Sequence, residues 1–425
     1  MPPPLEFVCI KLKHLLRQRL TRNLGWYGAA EIAARVTRLV TTIIVARVTS
    51  RADLGAAAAV LTMFELFRVL TNNGVAQAVI TAPARELEAV CATACRAMWG
   101  VCIGVAAVQG AVAMAMALHG WTQTGALLGA LAPIYLLMAP GLVPVYRIQR
   151  SNRLRVLAVI ATLQMVADNL LTAGLAHAGF GAWALVLPKL LVAPIWLIGV
   201  RRAEGWRFDS RVAAAPLGAV MRFAAPVLGS EMLNAARLNL DNVLVGSVLG
   251  MEALGTYFFV FNAGIGLSLS LTTALCGALF PHLAEGAPGR ASLLARFDRA
   301  LLTAVLPVSV LIALQATASL LYVPLVFGAR WHDAAPLVAV LCASAVARPL
   351  ADAGCQLLRA AGRTLQDFAT NLAATCLYLG AFACALPFGL AVAIHVLAVT
   401  ATLLHLTVAA SARFSLLPTR QPSFA

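Results

Sequence analysis

The chain has 425 residues, 61% of them hydrophobic and only 12% charged, and carries a formal net charge of +15. That composition excludes an ordinary soluble globule and indicates a polytopic membrane protein. The positive balance does not indicate a nucleic-acid partner, because the charges punctuate apolar stretches instead of gathering in one soluble domain.

Residues 1–24 set Leu5, Val8, Leu12, Leu15, Leu16 and Leu20 against Lys11, Lys13, Arg17 and Arg19. Two readings stand: a short basic amphipathic helix on the inner leaflet, or a solvated leader that orients the first span. Apolar segments long enough to cross a hydrocarbon core as helices then recur along the chain. Twelve spans are predicted near 25–48, 54–80, 91–117, 123–146, 154–176, 181–200, 217–249, 253–280, 300–323, 334–358, 366–386 and 388–410. The fold class is therefore all-α and integral to the membrane. A polar linker, 201–216, separates an N-terminal six-helix bundle (25–200) from a C-terminal one (217–410), and a tail (411–425) follows.

A shift of 200 residues aligns Glu31 with Glu231, Leu54 with Leu254 and Gly55 with Gly255, which suggests a duplicated unit. Asn72-Asn73-Gly74 and Pro188 mark candidate helix breaks that would open at a cavity. Of the 32 lysines and arginines, 21 fall in segments that a cytoplasmic N-terminus places inside. Arg51 and Arg330 fall in outer loops, and nine lie within spans. This asymmetry predicts that both termini are cytoplasmic.

The intramembrane charges carry the functional reading. Glu31, Arg35, Arg38 and Thr42 follow i, i+4, i+7, i+11 spacing and share one face of the first span. Each charge costs about 2.5–3.5 kcal/mol at a bilayer centre, so three oppose insertion by roughly 8–10 kcal/mol unless they face protein or water. Arginine suits an anionic cargo, because its planar donors grip two oxygens of a phosphate and it stays charged. Arg35, Arg38, Arg47, Arg68 and Arg237 are the candidate substrate-binding residues; Glu31, Asp168 and Asp241 are candidates for binding a coupling ion. Duller readings compete: Arg47 at a span end can snorkel, Glu65 with Arg68, Arg237 with Asp241 and Arg348 with Asp352 can pair within one helix, and Asp168 can bond a neighbouring helix.

No Ser/His/Asp set, paired-carboxylate site or phosphate-cradling GxxxxGK[ST] motif is legible, so neither an enzyme nor an ATPase is indicated. Nine cysteines without zinc-ligand spacing read as buried, inert thiols. No metal or cofactor is called for; a proton or sodium gradient or the membrane potential would supply energy.

Short motifs add a resemblance. Gly179-Phe180-Gly181-Ala182-Trp183-Ala184-Leu185-Val186 resembles the entry to the sixth helix of the polysaccharide transporter family, within the superfamily of multidrug exporters, oligosaccharide-lipid flippases and polysaccharide flippases. Asn239-Leu240-Asp241-Asn242, Leu249-Gly250, Leu254-Gly255-Thr256-Tyr257 and Phe280-Pro281 are similar to its seventh-to-eighth hairpin. Phe327-Gly328-Ala329-Arg330-Trp331 before Ala334-Ala335, Ala361-Gly362-Arg363, Asp53-Leu54-Gly55 and Asn73-Gly74-Val75 fit its loops. The resemblance implies two six-helix bundles forming a V around a central cavity, with alternating access. It implies a polyprenyl-pyrophosphate-linked oligosaccharide as cargo during surface polysaccharide assembly. Membrane lipids, a polymerase and glycosyltransferases are the implied partners of a functional monomer. A gradient-driven drug antiporter on the same scaffold is the alternative, and would want an acidic cavity; a non-transporting part of an export complex is another.

Overall fold

A computed structural model describes residues 36–416, except 73, 214, 267–271, 273–274, 277–278, 280–281 and 284–289. Glu31, Arg35 and the basic segment 1–24 lie outside the described residues, as does the side chain of Arg237. Every regular element among the described residues is helical.

Residues 36–48 form α1, followed by α2 (Arg51–Asn72), α3 (Gly74–Thr81), α4 (Leu87–Leu118), α5 (Thr122–Leu131), α6 (Pro133–Arg150), α7 (Leu154–His177) and α8 (Trp183–Ala203). Then come α9 (Leu217–Leu249), α10 (Met251–Ala263), α11 (Arg290–Ala300), α12 (Leu306–Tyr322), α13 (Ala335–Ala345), α14 (Arg348–Ala360), α15 (Thr364–Ala385) and α16 (Leu390–Phe414). Nine helical stretches among the described residues are long and apolar enough to cross a bilayer. The other three predicted spans, 25–48, 217–249 and 253–280, each contain positions that are not described or lack described side chains.

Proline decides where several spans break. The predicted span 123–146 is two helices, and Pro133 opens the second, where its missing N–H costs nothing. The predicted span 334–358 divides likewise, with Pro349 in the first turn of α14. Pro188, expected to mark a break, does not: α8 runs through both Pro188 and Pro194. The thiol expectation also needs correction. Cys376 and Cys384 are exposed, on an i, i+4 stripe of α15 that includes Leu372 and Gly380.

The described residues form two compact units: 36–48 with 64–232, and 49–63 with 233–416. The first turns of α2 thus belong to the second unit. Glycine makes this possible. A Cβ on Gly55 would strike the Met251 carbonyl, and one on Gly255 would strike the Arg51 carbonyl. The contact is reciprocal under the 200-residue shift. Ion pairing reinforces it: Arg51 grips Asp333 with two nitrogens at 2.6 and 2.8 Å and donates to the Arg330 carbonyl at 2.7 Å. Arg330 bonds the Thr49 carbonyl, and both guanidinium groups lie over buried Trp331, which stacks on Phe259 at 3.8 Å.

In the first unit a polar side chain organises the core. Gln109, fully buried on α4, donates to the Leu128 carbonyl at 2.8 Å and accepts from the Tyr135 hydroxyl at 2.7 Å. Both ends of the amide are satisfied, so its burial carries little desolvation penalty. The 201–216 linker docks on α4 through Ala215 N–H to the Ala89 carbonyl (3.2 Å) and Trp206 to Glu88 (2.9 Å). Arg147 ties the same end of α4 to the linker by bridging Glu88 at 2.5 Å and Glu204 at 3.3 Å.

Candidate functional site

Four helices of the first unit wall a cavity of about 570 Å³, within the roughly 300–1,000 Å³ typical of ligand sites. Helical spacing delivers the lining. Glu65 and Arg68 sit at i, i+3 on α2; Ala161, Gln164 and Asp168 at i, i+3, i+7 on α7; Lys189, Val192 and Trp196 likewise on α8. Met138, Leu142 and Gln149 come from one stripe of α6.

The cavity's four charges are paired. Arg68 Nε and Nη2 both donate to Glu65 Oε2, at 3.0 and 2.6 Å. Lys189 Nζ donates to Asp168 Oδ2 across the α7–α8 hairpin. Among the described residues, two cations face two carboxylates, so their charges balance. Asp168 Oδ1, closed off from the cavity, receives no hydrogen bond among the described residues. Trp196 is seated by Gly141, where any Cβ would collide with the indole ring, and it packs beside Ile148, Ile160 and Val200.

A second, smaller cavity of about 150 Å³ lies within the other unit, lined by Asp241, Arg348, Asp352, Asn371, Tyr378 and His405 among others. Asp241 is 6% exposed; its Oδ2 accepts from the Tyr257 hydroxyl at 2.7 Å and its Oδ1 from the Asn242 N–H at 2.9 Å. Arg348 and Asp352 stand 3.6 Å apart on α14. Asn371 binds Asp367 at 2.8 Å, and Asp367 also receives Arg359 at 2.7 Å.

The predicted site residues are distributed as follows. Arg38 is exposed on α1, off the face that Thr37 and Thr41 turn toward Asn169 of α7. Arg47 is exposed nearer the end of α1. Arg68 and Asp168 meet in the larger cavity, and Asp241 lines the smaller. The described partner of Asp241 is Tyr257, sixteen residues along the chain; the side chain of the expected helical neighbour, Arg237, lies outside the described residues. Asp168 bonds a neighbouring helix, the duller of its two readings: its partner is Lys189, because the α7–α8 turn folds position 189 back onto position 168. Sequence reasoning missed Gln149, Gln164 and Trp196 as lining. A signal existed: Gln164 lies one turn before Asp168, and Trp196 two turns after the intramembrane Lys189.

Apolar helices with charged cavities inside each unit define a polytopic helical membrane protein. Its sequence matches the profile of the polysaccharide biosynthesis protein family over residues 44–336, and the chain belongs to that family. It is 25% identical over 340 residues to the succinoglycan biosynthesis transport protein ExoT of Rhizobium meliloti (strain 1021), covering 76% of this chain and 66% of that protein. It is 23% identical over 236 residues to the lipopolysaccharide biosynthesis protein WzxC of Escherichia coli (strain K12), covering 55% and 48%. The matched stretch thus spans between about half and two thirds of these relatives' length. In fold the chain is similar to an inward-facing multidrug resistance MATE family transporter of the MOP superfamily, with TM-score 0.67, 13% identity and coverage of 90% and 94%. It is also similar to the lipid II flippase MurJ in an inward closed conformation, with TM-score 0.66, 10% identity and coverage of 92% and 91%. The family resemblance read from the motifs and the all-helical membrane fold are both established by these likenesses.

Proposed function

We propose that this protein is a bacterial inner-membrane flippase for a polyprenyl-pyrophosphate-linked oligosaccharide, moving it to the outer leaflet for surface polysaccharide assembly. The observation that supports this reading is a 570 Å³ cavity walled by membrane-spanning helices and lined by four charged groups, in a chain of the polysaccharide biosynthesis family. An apolar cargo would not require buried charges at that depth.

Arg38 and Arg47, with Arg35 and Arg237, contact the diphosphate, since guanidinium donors match its paired oxygens. The polyprenyl tail stays among membrane lipids while the sugars pass through the protein. Alternating exposure to the two leaflets moves the cargo. Each charge that crosses the membrane potential gains or loses about 2.3 kcal/mol per 100 mV. Glu31, Asp168 and Asp241 are the carboxylates through which a proton or sodium gradient couples. Both termini face the cytoplasm, following the 21-to-2 distribution of loop lysines and arginines. The protein acts as a monomer beside the glycosyltransferases that build the repeat unit and the polymerase that consumes it.

The test is complementation of a deletion strain, reading lipid-linked oligosaccharide on the outer leaflet by its accessibility to an added glycosidase. Wild type restores outer-leaflet material; Arg38→Ala, at normal protein level, lowers it at least tenfold. Unchanged outer-leaflet oligosaccharide in the deletion strain itself overturns the reading.

A further inference from the structure

We infer that the larger cavity is a subsite for the uncharged sugar residues of the cargo and does not receive its diphosphate, an inference that rests on the flippase reading above. Three observations on the same walls lead there. First, the cavity's charges are already spent on one another: Arg68 holds two bonds to Glu65, and Lys189 is bound to Asp168. A diphosphate entering would meet two carboxylates for two cations among the described residues, and would have to draw a cation away from its carboxylate, the mostly buried Asp168 in the case of Lys189. Sugar hydroxyls meet no such obstacle, because each both donates and accepts.

Second, the remaining polar groups match hydroxyls. Gln149 of α6 and Gln164 of α7 each offer one carbonyl acceptor and two N–H donors to the lining. An ionised phosphate, which only accepts, leaves the amide carbonyls without a donor; hydroxyls serve both ends of each amide.

Third, the cavity has an aromatic wall held in place. Trp196 fits against Gly141 and is packed behind by Ile148, Ile160 and Val200, so its ring is fixed before any ligand arrives. Pyranose rings expose a C–H face that packs on such a surface while their hydroxyls bond at the rim. Paired charges, planar amides and a rigid indole form a carbohydrate site in chemical character. The diphosphate is left to guanidinium groups elsewhere, such as exposed Arg38.

The experiment measures binding to purified full-length protein in nanodiscs with two probes. One is the oligosaccharide released by mild acid from the producing cell's own lipid-linked pool; the other is inorganic pyrophosphate. The oligosaccharide is expected to bind wild type, with affinity falling at least tenfold in Trp196→Ala and several-fold in Gln164→Leu. Neither change should shift pyrophosphate affinity by more than twofold. Trp196→Leu keeps most of the apolar volume and guards against a folding loss; it too should weaken the oligosaccharide about tenfold. Loss of pyrophosphate binding in Arg68→Gln or Lys189→Gln, with oligosaccharide binding indifferent to position 196, makes the cavity an anion site and overturns the inference. Failure of wild type to bind the oligosaccharide, while it still restores outer-leaflet cargo in the deletion strain, overturns the inference and spares the flippase reading. Failure to restore that cargo overturns both.

Discussion

The two units solve the problem of buried charge differently. In the first, Asp168 and Lys189 come from separate helices and meet in a cavity wide enough for an organic group. In the second, a carboxyl group on α9 is held by a tyrosine hydroxyl in a cavity of about 150 Å³, room for a few waters or an ion. Its arginine, Arg348, reaches an aspartate one turn along its own helix, at 3.6 Å. A cross-helix pair depends on two helices keeping their register, whereas a within-helix pair survives whatever its neighbours do. The first unit thus offers room for an organic ligand, and the second a space sized for an ion.

Four single substitutions and one double variant probe this contrast, each read as thermal unfolding in detergent. The largest effect is expected from Lys189→Met, which strands Asp168. Breaking a buried pair costs about 3–5 kcal/mol, and the 36% exposure of Lys189 puts the loss at roughly 3 kcal/mol. Adding Asp168→Asn should return most of that stability, and no recovery would mean that the two do not interact. Tyr257→Phe comes next, at about 1.5 kcal/mol, the upper end for a single hydrogen bond inside a membrane protein. Its counterpart in the first unit, Tyr135→Phe, removes a neutral bond to Gln109 and should cost about 0.6 kcal/mol. The smallest loss, about 0.3–0.5 kcal/mol, is expected for Arg348→Met, the ordinary contribution of an i, i+4 pair. If Arg348→Met proved as damaging as Lys189→Met, the contrast between the units would collapse.

Much of the candidate site was visible before any fold was known, but only residue by residue. Arg68, Asp168, Lys189 and Asp241 stand out because a charge within an apolar span needs a reason. The pairs Glu65–Arg68 and Arg348–Asp352 were also readable, since helical geometry alone brings i+3 and i+4 neighbours together. Lys189 as the partner of Asp168, and Tyr257 as that of Asp241, were not. Those partners lie 21 and 16 residues away, beyond the reach of any single helix turn. Trp196 was hidden for another reason. A tryptophan in an apolar helix looks like ordinary core until Gly141 is seen making room for it.

What the amino-acid order determined by itself is everything carried by hydropathy and by spacing of four residues or fewer. That comprises the membrane-spanning class, the run of apolar helices, the in-helix ion pairs and the family motifs. Tertiary structure alone decided which helices close around each cavity, which charges neutralise each other across a hairpin, and that residues 49–63 join the second unit. Those outcomes depend on how closely and in what register helices approach. Glycines such as Gly55, Gly255 and Gly141 set that approach, and the absence of a Cβ means nothing until the opposing surface is in place.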